Sequence, residues 1–242
     1  TAALSTAYAC NSPVLCVTGQ IQSDMIEFGR GLLHEIPNQL GMVRSVTKWA
    51  RRAVAPGDVA ALVRDAFAEL RTGRPRPVEI EIPPDTLLAA AEVEPLAPAA
   101  RPAPFAGDPE LLDRAAALLA GAKRPLVWSG GGVVRGGAWE ALRRLAERLQ
   151  APVVMTANGK GALSDRHPLA HSILGGIELL KDADVILAVG TRFVEPATSP
   201  WGIAPGRAVV QVDVDPEEIS RNYQASVGIE ADANAALSAL AS

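Results

Sequence analysis

Short apolar runs bounded by proline, glycine or aspartate recur along the chain, at 13–18, 125–128, 152–155, 185–189 and 208–212. A strand buried on both faces reads this way, because neither side of its pleat meets water. In the first third, an alanine-rich helix TAALSTAYA is stopped by Asn11-Ser12-Pro13, and the strand Pro13–Thr18 follows. Val43–Trp49 is a second strand candidate and Val78–Ile82 a third. Between those two, Val59, Leu62, Val63, Ala66, Phe67 and Leu70 repeat at i, i+3, i+4. That stripe predicts an amphipathic helix over 57–72, closed by Gly73.

The last 135 residues repeat strand and helix more fully. Asp108 as N-cap, Pro109 at the first helical position and Glu110 in the first turn start a helix that reaches about Ala120. Further helices are predicted near 137–149, 177–182, 216–222 and 232–241, with a short strand near 227–230. Alternation of this kind gives parallel strands with helices on both faces. The expectation is an α/β chain: a partial parallel-sheet unit, then a doubly wound, Rossmann-like domain with any ligand at the C-terminal strand ends. Nine of the nineteen prolines fall between Pro75 and Pro109, and AEVEPLAPAARPAPFAG at 91–107 has no period, so it reads as an extended linker. The predicted boundaries are 1–90, a linker at 91–107, and 108–242.

Composition narrows the partners. The chain has 242 residues, 48% apolar and 21% charged, in the range of a globular protein. A net charge of −4 supplies no basic field for nucleic acid, and 4% aromatic residues give no base-stacking platform. No apolar run approaches ~18 residues, so no membrane span is expected. Two cysteines, Cys10 and Cys16, are too few for a disulfide framework, and Cys16 in its apolar strand reads as an inert thiol. No signal peptide is visible, and a cytoplasmic location is the default. The chain opens on Thr1 without a methionine, which predicts that sequence precedes it.

Candidate chemistry collects at strand ends. Ser129-Gly130-Gly131-Gly132 follows a strand and precedes a helix, where backbone amides favour anions. A tight turn needing positive φ is the competing reading. Arg192, after the strand DVILAVG, could pair with a diphosphate through its bidentate fork, or sit in a surface ion pair. Asp213 at the end of VVQV suits ribose hydroxyls, while Asp215 before Pro216 suits a helix cap. In the first unit Gln20, His34, Glu35 and Lys48 are the polar residues near strand ends. His34, His167 and His171 lack metal-ligand spacing, and no metal site is expected.

Together PVLCVTGQ (13–20), TKW (47–49), TGRPRPVEIEIP (72–83), the glycine turn, AVGTRF (188–193) and DVDPEEI (213–219) resemble thiamine-diphosphate enzymes of the acetolactate synthase type. The resemblance implies the second half of a pyrimidine-binding domain joined to a central domain. It implies thiamine diphosphate and Mg²⁺ in the complete enzyme, FAD, ADP or nothing in the central domain, a small 2-keto acid as substrate, and a homodimer or homotetramer. The family's catalytic glutamate maps upstream of Thr1, so no catalytic residue is assigned here. Its GDG motif for the diphosphate and Mg²⁺ has no match in the chain. By the resemblance Gly130, Gly131, Gly132, Thr156, Gly175, Gly190, Arg192, Asp213, Val214 and Asp232 border the nucleotide site. Gln20, His34 and Lys48 are the substrate-pocket candidates.

The departures are specific. Leu33-His34-Glu35 stands for the family's Phe-Gln-Glu, and GTRFVEP for G-x-R-F-D-D-R, which puts Pro196 at the second arginine. Ile177 takes the place of a family histidine. The expected function is therefore part of an acetolactate-synthase-like enzyme for decarboxylation or carboligation of a 2-keto acid, inactive alone, with another 2-keto acid or acyl donor favoured over the acetolactate reaction. A stand-alone FAD-, ADP- or NAD-binding regulatory module is the alternative, and a structural domain with purely geometric glycines the third.

Overall fold

A computed structural model describes residues 1–194 and 206–242, in two compact units, Thr1–Ala103 and Pro104–Ser242. In the first, α1 (Ala2–Ala9) leads to β1 (Leu15–Gly19), a long connection, α2 (Gln39–Arg44), β2 (Trp49–Arg52), α3 (Asp58–Arg71), β3 (Val78–Ile82) and α4 (Pro84–Leu88). The three strands are parallel in the order β1-β3-β2. The strand expected at 43–49 is corrected. The Asn38 side chain caps α2 by accepting from the Gly41 N–H, helix runs to Arg44, and the strand begins only at Trp49. Tertiary packing outweighs the β-branched residues of VRSVT.

Register makes the two faces of this sheet unlike. On one face Leu15, Trp49, Val78, Ile80 and Ile82 pack with Leu62, Ala66 and Leu70 of α3. On the other, Cys16, Glu79 and Ala50 form one row, and Thr18, Glu81 and Arg52 the next. Glu79 and Glu81 are both fully buried. Glu81 is paired with Arg52 and accepts from Gln39 Nε2 at 2.9 Å. Glu79 accepts from the Thr18 hydroxyl through Oε1, while its Oε2 has no hydrogen-bond partner among the described residues. Burial pushes the Glu79 carboxyl up, reinforced by Glu81 and opposed by the Thr18 hydrogen bond and by Arg52 and Arg44.

That asymmetry makes the first unit pH-sensitive in a defined direction. A carboxyl raised in the folded state binds its proton more tightly there than in the unfolded chain. Its contribution is complete below the usual carboxylate range and is lost as pH rises through the folded value. Glu79→Gln is expected to flatten that fall and to stabilise the unit at neutral pH by on the order of 1 kcal/mol. Urea unfolding of both proteins from pH 4 to 8 checks this; parallel pH profiles would exclude Glu79 as the source.

The second unit is a six-stranded, all-parallel sheet. Its elements are α5 (Pro109–Ala120), β4 (Pro125–Ser129), α6 (Gly131–Arg135), α7 (Trp139–Leu149), β5 (Val153–Met155), β6 (Ala170–Ser172), α8 (Ile173–Asp182), β7 (Val185–Val189), β8 (Ala208–Asp213), β9 (Val227–Glu230) and α9 (Ala233–Leu240). The strand order is β6-β5-β4-β7-β8-β9. The central strand β7 is buried at all five positions, as its uninterrupted VILAV requires. Val127, Leu187 and Val210 face one core with Leu142 and Leu145 of α7 and Leu237 of α9. Leu126, Trp128 and Ile186 face the other with Leu180 of α8. The Asp108 cap with Pro109 forms as the sequence predicts, accepting from the Glu110 N–H at 2.8 Å.

The helix expected at 216–222 is a second correction: only a single 3₁₀ turn, Pro216–Glu218, is present. The reason lies on β8. Gln211, buried in that strand, donates from Nε2 to the Glu218 carbonyl and accepts the Ser220 N–H, both at 2.9 Å. A side-chain amide thus takes the groups that a second helical turn would use, and Ser220 adopts φ +62.

Candidate functional site

The order steps outward through β4, β5 and β6 on one side of the sheet's middle and through β7, β8 and β9 on the other, so the topological switch lies between β4 and β7. Ligands of open α/β sheets bind outside the C-terminal strand ends at such a point. The ten nucleotide-site candidates all fall on that edge. Gly175 lies in the first turn after β6, Thr156 after β5, and Gly130, Gly131 and Gly132 after β4. Gly190 and Arg192 follow β7, Asp213 and Val214 close β8, and Asp232 follows β9. Six strands span roughly 24 Å at their usual spacing.

The glycines divide by what surrounds them. A Cβ on Gly130 would stand 2.2 Å from the Gly190 carbonyl oxygen, and one on Gly132 2.6 Å from the Gly190 Cα. The Gly130 N–H donates to the Val189 carbonyl and the Gly132 N–H to the Gly190 carbonyl, both at 2.9 Å. Gly159 is as tight, its Cβ position 2.2 Å from the Ser129 carbonyl oxygen. The β4 and β7 turns therefore interlock backbone to backbone. That close approach, together with φ +57 at Gly190, explains these glycines; positive φ does not explain the glycine turn itself, where Gly130 has φ −99. Gly175 differs, with nothing within 4 Å of its Cβ position.

Several polar candidates already hold local structure. Thr156 Oγ1 accepts from the Gly159 N–H, Asp232 caps α9 through the Ala235 N–H, and Asp215 caps its 3₁₀ turn through the Glu217 N–H. Asp213, nearly buried, accepts from the Asp215 N–H at 3.0 Å. Arg192 and Val214 are exposed on the edge. At the switch point the Ser129 hydroxyl is fully buried without a hydrogen-bond partner among the described residues, a polar atom that nothing in the glycine turn's sequence singles out. Phe193 and Asn222 were equally silent in the sequence. The Phe193 ring is 1% exposed, and Asn222 Nδ2 donates to the Arg192 carbonyl at 2.7 Å. Glu195 and Pro196 of GTRFVEP lie outside the described residues.

In the first unit the substrate-pocket candidates are not brought together. Gln20 follows the C-terminal end of β1, whereas Lys48 precedes the N-terminal end of β2, and the strands are parallel. Four strand steps separate those edges, about 13 Å. Lys48 Nζ donates to the Thr72 and Arg74 carbonyls at 2.7 and 3.1 Å, closing the end of α3. Burial holds its ammonium below the usual lysine range. Gln20 Oε1 accepts the adjacent Ile21 N–H. His34 is exposed at φ +72 in a connection that leaves and rejoins the C-terminal edge, where Gln39 Nε2 donates to the Gly19 carbonyl at 2.7 Å. Glu35 shapes that connection by accepting the Arg30 and Leu32 N–H groups at 3.2 and 2.9 Å, and the Leu32 bond leads in holding its carboxyl below the usual range.

A groove of about 450 Å³ between α3 and residues 96–99 is apolar, lined by Val63, Phe67, Leu96 and Pro98 with Arg64 and Arg71, and includes none of the candidates. Among the described residues no three His, Cys, Asp or Glu side chains are grouped to hold a metal ion. Among the same residues no helix is long and apolar enough to cross a membrane.

Residues 112–240 match the thiamine pyrophosphate enzyme central-domain family. Over 95% of its length the chain is 35% identical to a Methanocaldococcus jannaschii protein assigned as an acetolactate synthase large subunit, covering 41% of that protein. It is 35% identical over 98% of its length to a Pseudomonas aeruginosa protein assigned as a 2-ketoarginine decarboxylase, covering 43% of it. It is 34% identical over 94% of its length to acetolactate synthase isozyme 1 large subunit of Escherichia coli, covering 41%. A solved structure from Mycobacterium smegmatis, assigned to a thiamin diphosphate-dependent enzyme, superposes on 99% of the chain with TM-score 0.80 and 26% identity, using 47% of its own length. The chain thus spans about two fifths of the curated relatives it matches. With a matching central-domain sheet and likeness across both units, the chain belongs to the thiamine-pyrophosphate-dependent enzymes of the acetolactate synthase-like group.

Proposed function

We propose that this chain is the pyrimidine-side and central portion of a thiamine-diphosphate- and Mg²⁺-dependent enzyme. It would act on a small 2-keto acid by decarboxylation or carboligation, as a cytoplasmic homodimer or homotetramer. The observation that carries the reading is sequence likeness along at least 94% of the chain to relatives assigned to both reaction types. Thiamine diphosphate supplies the electron sink for the 2-keto acid when bound. Gln20 and His34, on the C-terminal side of the first sheet, are the substrate-side candidates. Lys48 serves the fold of that unit. The chain has no GDG diphosphate motif and is expected to show no turnover alone.

In the central domain the proposed ligand is an adenine nucleotide, FAD or ADP. The candidates line an edge of roughly 24 Å, long enough for either. Exposed Arg192 offers the diphosphate a cation, Val214 an apolar surface for a flat ring, and the open side of Gly175 a close backbone approach. The Ser129 hydroxyl, without a partner among the described residues, gives this edge a polar group still to be satisfied. The interlocked Gly130 and Gly132 amides act on the protein instead, so the phosphate load falls on Arg192.

Titration calorimetry with FAD and with ADP on the 242-residue chain tests the nucleotide reading. Arg192→Ala is expected to weaken binding tenfold or more, on the order of 1.4 kcal/mol. An unchanged dissociation constant would return Arg192 to the surface ion-pair reading. Release of CO₂ from pyruvate or another 2-keto acid by the chain with thiamine diphosphate and Mg²⁺ would overturn the expected lack of turnover.

A further inference from the structure

We infer that Asn222 is a positioning residue for Arg192, so that the segment after β8, rather than the β7 turn alone, sets the cation of the nucleotide edge. The inference rests on the nucleotide reading of that edge. Arg192 lies between two constrained positions. Two residues before it, Gly190 at φ +57 is locked against Gly132. After it, Phe193 holds φ +49, a left-handed conformation that is uncommon for a bulky residue.

Two stretches of chain hold it, β4 on one side and the segment after β8 on the other. Tyr223 lies 4.8 Å from the Phe193 ring centre, and Trp128 closes the other side at 5.9 Å in an edge-on arrangement. The preceding residue, Asn222, donates Nδ2 to the Arg192 carbonyl at 2.7 Å. Two consecutive residues thus grip two consecutive residues, one pair through rings and the other through a hydrogen bond. The Phe193 N–H is satisfied locally by Thr191 Oγ1 at 3.1 Å. The gripping segment is itself fixed from the interior. Gln211 of β8 holds the Glu218 carbonyl and the Ser220 N–H. Ile219 packs where a Cβ on Gly228 of β9 would stand, 2.2 Å from its Cγ2. With the backbone of Arg192 held on both sides, its exposed guanidinium is presented to the edge from a fixed base, and less conformational freedom is lost when a phosphate binds.

The test is a double-mutant cycle read by calorimetric titration of ADP into the whole chain. Wild type, Asn222→Ala, Arg192→Ala and the double variant are compared, with circular dichroism and urea unfolding showing that each is folded. Asn222→Ala is expected to weaken ADP about fivefold in the wild-type background and to change nothing once Arg192 is absent. An equal loss in both backgrounds would mean that Asn222 supports the fold generally, and would overturn the inference. So would an Asn222→Ala chain that binds ADP as wild type does while Arg192→Ala is impaired; that outcome leaves the nucleotide reading standing. If the wild-type chain binds neither ADP nor FAD, the nucleotide reading fails and the inference falls with it.

Discussion

Gly130→Ala is expected to cost the second unit about 3 kcal/mol or more, a loss usually associated with large core substitutions. The added methyl would stand 2.2 Å from the Gly190 carbonyl oxygen and 2.5 Å from the Thr191 Cβ. Its nearest neighbour is backbone, so no rotamer change makes room. Relief requires the two turns to separate, which breaks the 2.9 Å bonds from the Gly130 and Gly132 amides to the Val189 and Gly190 carbonyls. Gly175→Ala is the matched control. Nothing lies within 4 Å of its Cβ position, it sits in the first turn of α8, and the exchange should be neutral or stabilising by up to ~1 kcal/mol. Urea unfolding followed by circular dichroism measures both. A Gly130→Ala loss below ~1 kcal/mol would mean that the interlock yields, and would return the glycine turn to a ligand-binding role.

Phe193→Ala is expected to be as damaging, at about 4 kcal/mol. The ring is 1% exposed, and truncation removes its contacts with both Trp128 and Tyr223. Alanine gains nothing in return, because the backbone at φ +49 is as unfavourable for alanine as for phenylalanine. Phe193→Leu, which keeps most of the volume, should lose about 1.5 kcal/mol. The ratio of the two losses separates lost volume from lost ring–ring contacts. Equal losses for the leucine and alanine variants would point to ring–ring geometry as the dominant contribution, and a small loss for both would place the ring outside the core.

These two residues show what the sequence carried unaided. Gly130 was conspicuous, and its position after an apolar run correctly placed a strand-to-turn junction there. Which of its possible tasks it performs depended on Gly190, sixty residues away in sequence and adjacent only because β4 pairs with β7. Phe193 was visible merely as a letter of GTRF. Its burial is decided by Tyr223 and Trp128, neither of them its sequence neighbour. Lys48 makes the same point in unit 1. A cation at a strand end reads as available for chemistry until parallel pairing puts it at the opposite edge from Gln20, bonded to the end of α3.

By itself the sequence determined the α/β class, the parallel character of the second sheet, most strand positions, the caps at Asp108 and Asp215, and the family. These are properties of local pattern: both-face burial makes a strand uniformly apolar, and a cap requires its side chain within three residues of the amide it serves. Only the tertiary structure decided the helix at 39–44, the loss of the helix expected at 216–222, the acidic inner face of the first sheet, and the grip of Asn222 and Tyr223 on Arg192 and Phe193. Each depends on partners brought together by strand register, as when Gln211 outcompetes a helical turn that begins five residues later in the chain. Local propensities are worth tenths of a kcal/mol per residue, whereas a buried polar group that must be satisfied is worth ~1–3 kcal/mol, so where the two disagree the packed interior prevails.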